Sequence, residues 1–312
     1  MSEIAAPLIA AEEVRKNFRK SMLLIAVIAG LIFGVSYLIG RELGDVATGL
    51  VIGAAVVFIV LPVQILTAKW AILGMTRGRA ADPNDLRERR ALHITEGLAV
   101  SAGLSRTPDL YIIPARVPNA FASGLGEGDA FIGVTEGLLE MMDDQELEGV
   151  IAHEFGHIIH RDIMLNQLVV ALISALLILA FILERVSVMN MLSGDRRNSR
   201  RDSGGGAVVL VIILLALLVR PLAHLISGLL QMAISRQREF AADAAAVRLC
   251  SYNEGLARAL EKLGGKKKFT REEVDSLGGG NMAAMYINFP GEALFSTHPP
   301  IETRVERLRN MY

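Results

Sequence analysis

Two uncharged apolar runs near the start of the chain limit its architecture more than any other feature. Ser21 to Gly40 (SMLLIAVIAGLIFGVSYLIG) carries no charge, and Val46 to Thr67 (VATGLVIGAAVVFIVLPVQILT) repeats the pattern after a short polar break. About 20 apolar residues in a helix cross a hydrocarbon core of about 30 Å. Both runs exceed the usual length of a buried core helix, so they are read as transmembrane helices. The first is also longer than the apolar region of a signal peptide, and the second follows it at once. A third uncharged stretch, Ile163 to Leu183, and a fourth, Ala207 to Ile234, bring the candidate spans to four. The fourth is interrupted by Arg220, Pro221, His224 and Gln231. Its clean part, Ala207 to Val219, is short, and Arg220 must snorkel, pair or face a polar cavity.

Charge orients these segments. The formal net charge is −1, which gives no global reason to expect a nucleic-acid partner, and none is expected. Locally, Arg15, Lys16, Arg19 and Lys20 precede the first run, and Lys69, Arg77, Arg79, Arg87, Arg89 and Arg90 follow the second. Only Arg41 lies between them. The positive-inside rule then places both flanks in the cytoplasm. The connection between the third and fourth runs holds Arg185, Arg196, Arg197, Arg200 and Arg201, which a simple hairpin would put outside. Whether or not that pair crosses fully, a hairpin returns the chain to the side it left. The single cysteine, Cys250, excludes an intrachain disulfide framework and a multi-cysteine metal site, and reads as a small apolar filler.

The polar segments have a coarse order of their own. Asp85 to Gly103 has the spacing of an amphipathic helix closed by Gly103. DLYIIPA (Asp109 to Ala115), NAFASG (Asn119 to Gly124) and AFIGVT (Ala130 to Thr135) then read as a small antiparallel sheet. Asp143 or Asp144 can cap the next helix, with Glu146 in its first turn. Past the fourth run, SRQREFAADAAAVRLC has the composition of a strong helix, and Asn253 to Leu263 forms another. Gly264 to Phe295 reads as loops with partial order; its lysines, Lys266 to Lys268, form a solvated corner. No G-K-[ST] follows either glycine cluster at the spacing a phosphate loop needs, and no internal repeat is present.

The helix capped near Asp143 carries VIAHEFGHIIHRDI, which sets His153, Glu154 and His157 as H-E-x-x-H. Positions i and i+4 share one helix face, so both imidazoles can aim a nitrogen at one metal ion. Glu154 falls beside that face, where its carboxylate can accept a proton from a water that the cation acidifies. Two histidines are not a site, because catalytic zinc usually takes three protein ligands. The metzincin continuation fails, with His160 where a glycine belongs and Ile163 where the third histidine belongs. His160 is placed at the helix surface or in a supporting position. A better source lies beyond the apolar pair, in REFAAD, where Glu239 and Asp243 are four apart. One carboxylate can bind metal while the other supports the site from the next turn. Pairing the third and fourth runs as a hairpin brings His157 and Glu239 to similar membrane depth. The plainer alternative pairs Glu239 with Arg236 or Arg238 on a solvated helix.

HEFGH, two intervening hydrophobic segments, SRQREFAADAAAVRL and FSTHPPIETRVERL together resemble the HtpX-type membrane zinc metalloproteases, relatives of the CAAX prenyl proteases. The likeness covers most of the chain. It implies a mainly α membrane protein with about four transmembrane helices and a zincin-like α+β catalytic domain. It implies one Zn2+ per chain on His153, His157 and Glu239, with Glu154 as general base and Asp243 in support. It also implies a role in membrane protein quality control. The resemblance also makes His298 and Arg304 the candidate oxyanion donors. In STHPP, Pro299 disfavours helical geometry at His298 and Pro300 suits a first helical turn, which presents His298 at a helix entry. PNAFASG resembles the family's edge strand, which makes Asn119 and Ala120 the candidate substrate-binding residues.

The expected organisation is a cytoplasmic segment at 1–20, two transmembrane helices at 21–67, and the first catalytic part at 68–162. A hydrophobic hairpin at 163–234 and the second catalytic part at 235–312 complete it. The expected protein is a multi-pass zinc endopeptidase of the inner, cytoplasmic membrane, its active site facing the cytoplasm. Its partners are protein substrates, chiefly membrane proteins, and the lipid bilayer. The rival readings are a specific processing peptidase, for which four spans are too few to build an enclosed chamber, and a non-catalytic scaffold that binds clients. Intact ligands and base argue against the scaffold.

Overall fold

The computed structural model describes residues 45–164, 236–265 and 299–311, together with Gln167 and parts of 19–41. All of the third apolar run except Ile163, Met164 and Gln167, the whole of the fourth, the arginine-bearing connection between them, the segment from Lys266 to Phe295 and His298 lie outside the described residues. The chain divides into two compact units, one of 20–67 and 168–230 and the other of 1–19, 68–167 and 231–312.

In the first unit the second apolar run begins a helix, α1, that continues into the other unit and spans Val46–Thr76. Asp45 caps its start, accepting from the Thr48 backbone N–H at 3.1 Å. At about 1.5 Å per residue the helix is about 46 Å long, more than a hydrocarbon core requires. Only 22% of its most apolar window is buried, and Val51, Phe58, Ile59, Val63 and Leu66 stand exposed. A helix of a soluble core would bury such a face. Val56–Val60 forms a π turn just ahead of Pro62, whose missing N–H removes one rung of the regular ladder. Ser36 and Gly40, in the first apolar run, pack on Gly49 and Gly53 of α1. A Cβ added at Gly49 would lie 2.7 Å from Gly40 Cα, and one at Gly53 2.9 Å from Ser36 Cβ. Small residues four apart on both partners permit this approach, a usual device of membrane helix pairs.

The second unit carries the motif. α2, Leu86–Ser101, starts where Asp85 accepts from the N–H groups of Arg87 and Glu88. It ends where Gly103, at φ +67°, lets Leu104 N–H reach Ala99 O at 3.0 Å, a Schellman closure. Four strands follow the order β1-β2-β4-β3: β1 Arg79–Ala80, β2 Asp109–Ile113, β3 Ala120–Ser123 and β4 Phe131–Thr135. β1 pairs antiparallel with β2, and β3 with β4, but β2 and β4 are parallel. The sheet is therefore mixed, not the antiparallel one expected from the sequence. The chain places β3 at the far edge and returns as β4 into the middle, an order that short apolar runs do not encode. β3 is an edge strand among the described residues.

A short helix, α3 Glu136–Met141, leads to the motif helix α4, Asp144–Ile159. Asp143 and Glu146 form a full capping box at its start, with both reciprocal bonds at 2.9 Å. α5 spans Arg236–Cys250, α6 Glu254–Gly264 and α7 Ile301–Arg309. α4 is the centre of this unit, since its Leu147, Val150, Ile151, Phe155 and Ile158 are wholly buried. Two glycines bring its neighbours close. A Cβ at Gly149 would meet Leu256 Cα of α6 at 2.8 Å, and one at Gly156 would meet Ala242 Cα of α5 at the same distance. Cys250 is half-buried and its thiol pKa is pushed up to about 12 by burial and by Glu148, which keeps it an unreactive filler.

Candidate active site

Close approach of α4 and α5 at Gly156 brings three side chains to one point. His153 Nε2 lies 3.6 Å from Glu239 Oε2, and His157 Nε2 lies 3.5 Å from Glu239 Oε1. One donor atom from each residue falls within 4.8 Å of the other two. These spacings are too long for hydrogen bonds. They match a shared cation instead, because tetrahedral ligands about 2.0–2.2 Å from one ion sit about 3.3–3.6 Å apart. Both imidazoles turn Nε2 inward because a carboxylate occupies each Nδ1: Asp243 Oδ1 at 2.9 Å on His153, and Asp162 Oδ2 at 3.1 Å on His157.

Charge supports the same reading. Among the described residues the buried cluster contains Glu154, Asp162, Glu239 and Asp243, set against Arg238 and Arg304. Two carboxylates are left over, the charge that one divalent cation on neutral imidazoles balances. Without a cation, protons meet the same deficit. Burial and Arg304 push His153 towards its neutral form, but the Asp243 carboxylate on its ring and the nearby Glu239 carboxylate outweigh them and raise its pKa to about 9. His157 moves the same way, with Asp162 and Glu239 overcoming burial. Burial disfavours the Asp243 anion, yet Arg304 and His153 hold its pKa below the usual range. The donor set and its charge fit a zinc ion.

The structure gathers most of the residues singled out in the sequence. Glu154 is buried at 4% exposure, close enough for its charge to act on Arg304. Asp243 supports His153 and takes two bonds from Arg304, from Nε at 3.0 Å and from a terminal nitrogen at 2.6 Å. The other terminal nitrogen of Arg304 is 3.5 Å from Glu239 Oε2. Arg304 is thus bound to an aspartate, a pairing that residue spacing does not announce. Ala120 begins the edge strand β3 and Asn119 immediately precedes it, with Asn119 Oδ1 accepting from the Ala120 N–H at 2.9 Å. Thr135 N–H donates to Asn119 O at 3.0 Å, so Asn119 and Phe121 bond to β4 while Ala122 turns its N–H to the open edge. His298, the partner expected for Arg304, lies outside the described residues.

His160, expected at the helix surface or in a supporting position, is buried and forms the C-cap of α4. Of the two arginines in the plainer alternative, Arg238 pairs with Asp162 at 3.0 Å and the side chain of Arg236 lies outside the described residues, while Glu239 is buried rather than on a solvated face. Asp162 itself was overlooked. Its only sequence signal is a carboxylate five positions after His157, just past the helix end.

Comparison with known proteins agrees with this geometry. The profile of peptidase family M48 matches residues 85–312. A protein named Protease HtpX homolog from Streptococcus equi subsp. equi is 37% identical over 91% of this chain and 90% of its own. One of the same name from Dictyoglomus thermophilum is 36% identical over 96% and 94%. A crystal structure of S. mikatae Ste24p aligns with a TM-score of 0.48 and 19% identity, over 96% of this chain and 67% of that one. The chain belongs to peptidase family M48 and is a metalloprotease.

Proposed function

We propose that this M48 peptidase is a zinc-dependent membrane endopeptidase that cleaves misfolded or damaged membrane proteins from the cytoplasmic side, in membrane protein quality control. The observation that carries the proposal is the convergence of His153, His157 and Glu239 beside buried Glu154. The long apolar helix Val46–Thr76, its exposed face and the basic residues beyond it support membrane residence with the catalytic unit in the cytoplasm. The quality-control role is what the resemblance to the HtpX-type proteases implies, and the relatives matched are named as proteases of that type.

His153, His157 and Glu239 would hold a zinc ion, which would supply Lewis acidity at the scissile carbonyl and lower the pKa of a water there. The Glu154 carboxylate would take a proton from the attacking water and later deliver it to the leaving amine. Arg304 keeps Asp243 ionised and so holds the His153 ring in place. Its terminal nitrogen nearest Glu239 is the one positioned to meet a developing oxyanion, with His298 as the second donor. On β3, Asn119 Oδ1 occupies the Ala120 N–H. That leaves the Ala122 N–H to pair with a substrate strand added at the edge.

The test is a paired cleavage assay in detergent. Chelated wild type and Glu154→Gln are reloaded with zinc and given an unfolded test protein. Zinc-dependent cleavage by wild type alone, with zinc bound to both, is the expected result. Cleavage by the variant at the wild-type rate would remove Glu154 from the mechanism.

A further inference from the structure

The described metal ligands come from both sides of the apolar stretch between Asp162 and Arg238, and one buried ion pair closes that stretch. Arg238, on α5, donates to Asp162 Oδ1 at 3.0 Å across 76 positions of sequence. Its side chain is 9% exposed and that of Asp162 2%. The other oxygen of the same carboxylate lies 3.1 Å from His157 Nδ1. Asp162 therefore bridges an imidazole of one half and a guanidinium of the other, one oxygen to each.

The backbone bends unfavourably to make this bridge. Arg161, the residue after the C-cap of α4, has φ +57°. A left-handed turn at a residue other than glycine or asparagine costs about 1–2 kcal/mol. Such strain persists where surrounding structure over-determines it, and it gathers at functional sites. Here the turn reverses the chain and returns the next carboxylate to His157, one helical turn back.

We propose that Asp162 and Arg238 are positioning residues of the metal centre: Asp162 fixes His157 with its proton on Nδ1 and Nε2 towards the ion, and Arg238 locks that carboxylate to the helix that supplies Glu239. The proposal rests on the zinc reading above. It gives the centre a second brace. His153 is held by Asp243, itself held by Arg304 of α7; His157 is held by Asp162, itself held by Arg238 of α5. Each imidazole thus answers to a carboxylate and each carboxylate to an arginine. Both braces span the apolar stretch, since Asp243 on α5 bonds His153 on α4 and Arg238 on α5 bonds the carboxylate behind His157, so the two halves cannot slide apart without turning both rings. Carboxylates behind metal-bound histidines set ring orientation and basicity, and losing one costs about tenfold to a hundredfold in metal affinity.

The test uses the full chain in detergent and zinc alone as probe. Zinc affinity is measured by competition with a chromogenic chelator for wild type, Asp162→Asn, Arg238→Gln, Arg238→Lys and the Asp162→Asn/Arg238→Gln double variant. Cobalt-loaded samples report ligand geometry through their visible spectrum, and His153→Ala marks loss of the site. Both disruptive single variants are expected to bind zinc about ten- to a hundredfold more weakly, with an altered cobalt spectrum. The double variant should be little worse than the weaker single, because the two residues act in series. Arg238→Lys should recover part of the loss. If Arg238→Gln fails to fold, the near-isosteric Asp162→Asn and Arg238→Lys carry the test. Wild-type zinc affinity and an unchanged cobalt spectrum in folded Asp162→Asn would overturn the positioning role alone. Zinc binding by wild type no stronger than by His153→Ala would overturn the zinc reading and this inference together.

Discussion

Replacing Gly156 by alanine tests whether the metal site depends on how closely α4 and α5 approach. The added methyl would lie 2.8 Å from Ala242 Cα, 3.0 Å from its carbonyl oxygen and 3.1 Å from its Cβ. Carbon atoms pack comfortably at about 3.5–4.0 Å. The obstruction is mainly backbone, so no side chain can rotate away, and the helices must part by several tenths of an ångström or more. Glu239 lies one turn before Ala242 on α5, while His153 and His157 flank Gly156 on α4. Metal ligands tolerate displacements of about 0.2 Å, well below that shift. Overpacking of a dense contact costs about 1–3 kcal/mol. If the metal site bears that cost, zinc affinity falls about five- to 150-fold. The assay is chelator competition on detergent-solubilised full chain, with thermal unfolding alongside. Gly97→Ala serves as control, since nothing lies within 4 Å of its added methyl. Zinc affinity in Gly156→Ala within about twofold of wild type, in a folded protein, would refute the claim that this approach sets the site.

Other expectations follow from the same geometry. Glu239→Ala should weaken zinc binding by well over tenfold, because two imidazoles alone make an incomplete set; unchanged stoichiometry and affinity would move the third ligand elsewhere. Ala122→Pro removes the N–H that faces the open edge of β3 while keeping the strand at an edge, where proline is tolerated. It should lower kcat/KM for protein substrates by about two- to tenfold with zinc binding intact, and unaltered kinetics would exclude this edge as the substrate's partner. The metal-free protein should respond to pH through His153. Its folded pKa is raised from 6.5 to about 9, so its stabilising charge is fully present below pH 6.5 and is lost as pH rises through about 9. Chelated protein should therefore lose Tm across that window, and zinc should raise Tm more at its upper end. A Tm of the chelated form that rises over the same range contradicts this account.

Local signals in the sequence were strong where one residue type has one job. Asp85 and Gly103 bounded α2, and the Asp143–Glu146 pair opened α4, because caps and left-handed closures are read from single positions. His153, Glu154 and His157 were visible for a similar reason: helical periodicity alone puts them on adjoining faces. Strand order was not visible. The runs at 109–115, 119–124 and 130–135 announce strands, but nothing in them says that β4 enters between β2 and β3 and runs parallel to β2. β1, with two residues, is too short to leave a periodic trace. Asp162 was illegible because its position depends on the turn at Arg161, and no residue there advertises positive φ. Arg304 was marked only by the resemblance of FSTHPPIETRVERL to the family, and its pairing with Asp243 depends on how α7 docks, which is a tertiary matter. Gly156 carried a hidden meaning of the same kind. Inside a motif it passes as a filler position, and only the neighbouring helix shows why a side chain would not fit.

The measurement that bears most directly on the central claim is zinc K-edge X-ray absorption on chelated full-length protein reloaded with one equivalent of zinc. The account predicts two imidazoles from His153 and His157 and oxygen ligands that include Glu239, at about 2.0–2.2 Å and without sulfur. It also predicts that Glu239→Ala loses an oxygen ligand and His157→Ala an imidazole. A wild-type spectrum with one imidazole or none, or one that neither substitution changes, would contradict it.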